Sequence, residues 1–235
     1  MTYKRRAVLF FVFSFAFALI FSLYASAGVR EAFDLCFPRY AVWGVVKETG
    51  EEVKILEAEH EKHFWVMGKN GLRRKVAWDA LAPKATASVP VDAVDEKTVA
   101  YFAGAMGMKS KTDYLIWTDL SRFKTYVLEY GDEGWQVIRT LPCALGDASH
   151  PTPSGTYAVD YKCTSIGKEN QYLCRYALCF YGGYMYHSVL YDWGGKALID
   201  ERLGERISHG CVRLSPADSR WLYNQIPIGT TVFIR

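Results

Sequence analysis

A cysteine preceded by His-Gly stands near the end of the chain, in the run Ser208-His209-Gly210-Cys211-Val212-Arg213-Leu214. A cysteine nucleophile needs a thiolate, a nearby base and backbone donors for an oxyanion. Gly210 lets the backbone turn sharply and a substrate approach closely. The amides around Cys211 are then free to face a developing negative charge. A second histidine, His187, lies in Tyr184-Met185-Tyr186-His187-Ser188-Val189-Leu190. That segment reads as a buried strand, so its imidazole is held rigidly. A free thiol has a pKa of about 8.5, and an imidazole partner makes it reactive near neutrality. The two groups are therefore expected to titrate as a coupled thiolate–imidazolium pair. A disulfide is the competing reading of Cys211, since Cys36, Cys143, Cys163, Cys174, Cys179 and Cys211 allow three bridges with nothing free. Cys163, Cys174 and Cys179 lie close in sequence, so a bridge is expected within that group, with Cys211 reduced. The cysteine spacings do not suit zinc and there is no C-x-x-C, so neither metal nor cofactor is expected. His60, His63 and His150 read as surface residues.

The elements that must carry these groups are mostly strands. Val42–Val46, Val53–Leu56, Phe64–Met67 and Val76–Trp78 are short β-rich segments, with a tight-turn signal at Asn70-Gly71. They suggest either a small SH3-like β domain over residues 36–82 or a β extension of the main domain. Ala82–Pro90 is small, polar and Pro-bounded and reads as a linker, followed by a short helix from Asp95 to Met106; together residues 83–111 are read as linker and helix. From Tyr114 the apolar period changes to two. Tyr114–Trp117, Tyr126–Leu128 and Trp135–Ile138 read as strands of antiparallel hairpins. Ser215-Pro216-Ala217-Asp218 starts a helix running to about Gln225, with Ser215 as cap, Pro216 at the first position and Asp218 on the dipole. Thr230–Ile234 closes the chain as a strand. Tyr184 and Tyr186 are candidates to line the cleft. The segment Tyr161–Phe180, with three cysteines, carries no readable motif.

Ser208–Arg213 closely resembles the signature of L,D-transpeptidase catalytic domains: Ser or Thr, His, Gly, Cys, an apolar residue, then Asn or Arg. His187 resembles the upstream histidine that serves that family as base. Thr152-Pro153-Ser154-Gly155-Thr156-Tyr157 resembles its Thr-Pro-x-Gly-x-(Tyr/Phe) turn, and Tyr114 through Gly146 its opening hairpin; the resemblance covers residues 112–235. Three features depart from the pattern. Twenty residues separate His187 from Ser208, the extra length falling at Trp193–Lys196; Ser188 follows the histidine where many members have Gly; Arg213 replaces the commoner Asn. The resemblance implies a mainly β, antiparallel sandwich-like domain with a short helix after the cysteine. It further implies that Cys211 attacks the carbonyl between the diamino acid and the terminal D-alanine of a peptidoglycan tetrapeptide stem. D-alanine leaves, protonated by His187, and an amine of a neighbouring stem resolves the thioester. Ser188 would orient the imidazole through its carbonyl, and the amides of Gly210 and Cys211 would form the oxyanion hole. His209, Ser208, Tyr186 and Arg213 would complete the site, with Arg213 holding a substrate carboxylate. Carbapenem-type β-lactams would acylate the same thiol. An L,D-carboxypeptidase of the same fold and a non-catalytic cell-wall-binding protein are the alternatives. A sortase-like enzyme is disfavoured because its Thr-Leu-x-Thr-Cys motif is absent.

Half of the 235 residues are hydrophobic and 15% aromatic, which excludes a disordered chain. The net charge of +3 comes entirely from Lys4, Arg5 and Arg6, because the rest carries 25 basic and 25 acidic residues. With no basic stripe, no nucleic-acid partner is expected. The positive n-region, the apolar run Ala7–Tyr24 and Ala25-Ser26-Ala27 form the pattern of a secretory signal over residues 1–27. The apolar stretch is also long enough for an uncleaved anchor. Either way the remainder is expected outside the cytoplasmic membrane.

Overall fold

A computed structural model describes residues 26–38, 42–59, 62–84 and 93–235. The basic flank and apolar run of the N-terminus, His60 and most of the expected linker lie outside these residues. No described helix is long and apolar enough to cross a membrane.

The described chain opens with a helix, α1 (residues 26–36). Five strands follow: β1 (Val42–Val46), β2 (Glu52–Glu59), β3 (His63–Met67), β4 (Arg73–Ala77) and β5 (Leu81–Lys84), in the order β4-β3-β2-β1-β5. Every pairing in this sheet is antiparallel. The period of two turns Val42, Val46, Val53, Ile55, Phe64, Val66, Val76 and Leu81 to one side, where they form a core of their own. Gly71 supplies the positive φ (+76°) of the β3–β4 turn. The sequence pattern puts Trp78 at the end of a strand. It lies instead in a single 3-10 turn, Trp78–Ala80, with its ring stacked on Phe64 at 4.5 Å.

Helix α2 (Glu96–Ala105) starts at Asp95, whose side chain accepts the Thr98 amide at 2.7 Å. Then come β6 (Tyr114–Asp119), β7 (Lys124–Gly131), β8 (Gly134–Gly146), β9 (Gly155–Ala158), β10 (Tyr161–Lys168), β11 (Tyr172–Tyr181), β12 (Tyr184–Ser188), β13 (Leu190–Tyr191), β14 (Leu198–Asp200), β15 (Arg206–Ser208), β16 (Val212–Leu214), α3 (Pro216–Gln225) and β17 (Thr231–Ile234). Most pairings are antiparallel, giving the mainly β, sandwich-like domain expected. Three are parallel: β12 with β16, β15 with β8, and β17 with β6.

Strand β6 shows how the sequence makes two layers. Leu115 and Trp117 point to one face, where Phe33 and Phe37 of the α1 region and Val99 and Phe102 of α2 cover them. Ile116 points to the other face, against Val127, Leu145, Tyr186, Val212 and Leu222. The Phe37 and Trp117 rings lie 4.5 Å apart. Arg122 donates to the Cys36 carbonyl at 2.7 Å, and the Arg235 guanidinium bonds Asp34 and the Phe37 carbonyl. Burying two phenylalanines contributes about 2 kcal/mol each, so the α1 region is part of the domain's core. At the other end, Ser215 Oγ accepts the Asp218 amide at 3.1 Å and Pro216 opens α3, as the capping pattern predicts.

Candidate active site

The site sits on a parallel strand pair. The register pairs Tyr186 with Val212, His187 with Arg213 and Ser188 with Leu214. Side chains alternate along both strands. Tyr186, Val212 and Leu214 enter the core. Met185 lies on the opposite face, packed with Ala177, Cys179 and Cys211. The same alternation sets His187, Cys211 and Arg213 on that face, with the cysteine immediately ahead of β16 and half-buried.

His187 is 5% exposed, and its Nδ1 lies 2.7 Å from the Ser188 carbonyl. A carbonyl only accepts, so Nδ1 carries the proton and Nε2 keeps its lone pair. Burial lowers the imidazole pKa to about 4; the Ser188 bond opposes this, and the nearby Arg213 charge adds to it. Burial likewise pushes the Cys211 thiol up to about 11, against the pull of the Met185 amide and Arg213. Both shifts favour the neutral forms at pH 7, the opposite direction from the thiolate–imidazolium pair expected from sequence.

The loop before the cysteine departs from expectation in two ways. Ser208 is buried, and its hydroxyl donates to the Cys211 carbonyl at 2.6 Å. The same oxygen accepts the Gly210 amide at 3.1 Å. Ser208 is thus an internal staple and not a substrate contact, and the Gly210 amide assigned to the oxyanion hole is already engaged. Gly210 has φ +102°, and a Cβ there would run into the Tyr184 ring, so only glycine fits. His209 is exposed and faces the ring of His150 at 4.5 Å. His150, a surface residue by sequence, has a side chain only 12% exposed.

Tyr186 is fully buried and its hydroxyl bonds Thr118 Oγ1 at 2.7 Å. It is a core residue and does not line the cleft, because the alternation that turns His187 to the opposite face sends Tyr186 into the core. Tyr186→Phe should cost about 1 kcal/mol of stability, read by denaturant titration, and leave thiol acylation within twofold. Arg213 is 7% exposed, with Nη1 3.0 Å from Asp200 and a buried Nε that has no partner. One arm of the fork expected to hold a substrate carboxylate is therefore engaged within the protein.

Sequence reasoning missed Asp200, which only the pairing of β13 with β14 brings to Arg213. It also missed Tyr172 and Cys174, whose pKa values are raised first by burial and then by neighbouring groups that include Cys211. All six cysteines are free thiols, contrary to the bridge expected among Cys163, Cys174 and Cys179. On the β10–β11 hairpin Cys163 opposes Ala177, Ile166 opposes Cys174 and Tyr161 opposes Cys179, so no two of these cysteines face each other. Among the described residues no His/Cys/Asp/Glu group is arranged to hold a metal.

A strand-borne imidazole and a loop-borne thiol thus share one face of a mixed β-sandwich. The chain belongs to the YkuD family of L,D-transpeptidase catalytic domains, whose sequence model matches residues 113–234. It is 26% identical over 106 residues to L,D-transpeptidase 1 of Mycobacterium tuberculosis, covering 41% of this chain and 42% of that one. It is 29% identical over 130 residues to the putative L,D-transpeptidase YciB of Bacillus subtilis, covering 51% and 65% respectively. Each match thus spans less than two thirds of the curated relative's length. Among solved structures, a fused Zn-dependent amidase/peptidase/peptidoglycan-binding domain-containing protein from Clostridium acetobutylicum superposes with a TM-score of 0.51 at 27% identity, over 60% of this chain and 59% of that one.

Proposed function

We propose that this protein is an exported L,D-transpeptidase that acts on peptidoglycan tetrapeptide stems through a Cys211 thioester. The observation that carries the reading is the common face shared by His187 and Cys211, with the imidazole locked by its 2.7 Å bond to Ser188. His187 Nε2 takes the thiol proton as sulfur attacks the diamino-acid carbonyl. The Cys211 amide is the candidate oxyanion donor, since that of Gly210 is held by Ser208. The tetrahedral intermediate collapses, the C–N bond breaks, and Nε2–H protonates the departing D-alanine nitrogen. An amine of a second stem then attacks the thioester and gives its proton to Nε2. A new amide forms, and the thiol is restored. A strained β-lactam carbonyl is an acyl donor of the same kind, so carbapenems should acylate Cys211. The basic flank, apolar run and Ala25-Ser26-Ala27 support export, and no nucleic-acid partner is proposed.

Mass spectrometry of muropeptides after incubation with the full chain tests this. Dimers joined between diamino acids, with D-alanine released in equal number, are expected. Tripeptides without dimers would replace the reading with an L,D-carboxypeptidase, and unchanged tetrapeptides would leave a wall-binding protein.

A further inference from the structure

The small N-terminal sheet touches the catalytic loop through one aromatic line. Trp78, stacked on Phe64 in that sheet's core, has its ring 5.0 Å from His150. The His150 ring meets His209 edge-on at 4.5 Å and 89°. His209 is two residues before Cys211. The middle member is fixed on both sides. Asp147 Oδ1 accepts the His150 amide at 2.7 Å and lies 3.0 Å from its Nδ1. The Asp147 amide donates to the Ser208 carbonyl at 3.0 Å, tying this turn to the loop that carries the nucleophile. Ala148 packs against the N-terminal core beside Trp78. There is no slack between the two loops: a Cβ on Gly146 would meet the His150 carbonyl, the Thr152 amide and Gly210 Cα.

We infer that Trp78 and His150 are positioning residues of the active site, through which the N-terminal β unit holds the His209-Gly210-Cys211 loop in its reactive geometry. The inference rests on Cys211 as the nucleophile. A remote wall-binding module needs no ring wedged against the catalytic loop, and a spacer needs no partly buried histidine between them. The two ring contacts and the Asp147–Ser208 bond hold the loop in one place, and a misplacement of about 1 Å at a reacting centre costs up to about 100-fold in rate.

The test uses the full chain with Trp78→Ala, Trp78→Phe and His150→Ala. Three readouts are compared below the melting temperature: Cys211 acylation by a carbapenem, alkylation by iodoacetamide, and deuterium uptake of the 205–213 peptide. Trp78→Ala and His150→Ala should slow acylation ten- to 100-fold and speed exchange in 205–213, while alkylation stays within threefold, because it needs only the thiol. Trp78→Phe, which keeps a ring, should recover acylation to within about threefold of the parent. His150→Ala serves if Trp78→Ala unfolds the small sheet. Unchanged acylation and exchange in folded His150→Ala overturn the inference, as does a Trp78→Phe defect as large as that of Trp78→Ala. A parent enzyme that takes no carbapenem would count against the transpeptidase reading instead, and the exchange data alone would then decide the role of the two rings.

Discussion

Cys211→Ala will abolish turnover of tetrapeptide stems and remove the carbapenem adduct from the intact mass, with a rate loss of at least about 10⁴-fold. Removing a covalent nucleophile deletes the intermediate, and only residual binding and oxyanion stabilisation remain. The fold should survive. Cys211 is half-buried and its sulfur packs at the rim of a small cluster formed by Ala177, Cys179 and Met185. Truncation there removes one sulfur at the edge of that cluster, so the melting temperature should move by only a few degrees. Cys163 and Cys179 sit in the same cluster, so residual activity must be re-measured in Cys211→Ala/Cys163→Ser. Cys143 and Cys174 are poor substitutes, since burial pushes both thiols up to about 12. Turnover that persists in the double variant would sink the mechanism.

The parts of this molecule that were legible in the sequence are those set by local chemistry. The period of two placed the strands from Tyr114 onward, and Ser215-Pro216-Ala217-Asp218 placed the start of α3 because a cap is a three-residue event. The signature around Cys211 was equally local. What stayed hidden depends on pairings distant in sequence. Asp200 reaches Arg213 only after a β13–β14 hairpin folds back. His150 looked like a surface residue because nothing near it in sequence announces Trp78, 72 residues away. Helix α1 was missed because its first residues belong to the run that reads as an export signal, although Phe33 and Phe37, four apart, share one helical face. Tyr186 is a different kind of miss. Alternation within Tyr184-Met185-Tyr186-His187 already sets Tyr186 and His187 on opposite faces, so the sequence itself carried the correction. The staple by Ser208 turns on a hydroxyl that both donates and accepts, a choice that composition does not reveal.

Replacing His187 will slow acylation by about 10²- to 10⁴-fold and will change how the thiol responds to pH. Sequence alone points to a preformed ion pair, with alkylation fast at neutral pH and a thiol pKa that rises toward 8.5 when the histidine is lost. The structure points the other way. A thiol held near 11 is deprotonated to the extent of only about 10⁻⁴ at pH 7. Iodoacetamide, which brings no oxyanion and recruits no base, should therefore react slowly and gain about tenfold per pH unit between 8 and 10. In the proposed mechanism acylation takes a different route, with neutral His187 removing the proton as the bond forms. That base works only when unprotonated, so the rate rises as pH climbs through about 4 and is flat across neutrality. An ordinary imidazole would place this acid limb near 6.5. In His187→Ala the buried ring gives way to water, the thiol is better solvated, and its pKa should fall toward 8.5. Alkylation at pH 8 should then be faster than in the parent while acylation is much slower, a crossing that no simple loss of stability produces. An acid limb near 6.5 together with rapid alkylation at pH 6 would restore the ion pair. Acylation unchanged in His187→Ala would remove the base assignment altogether and leave His209, on the loop beside the thiol, as the residue to replace next.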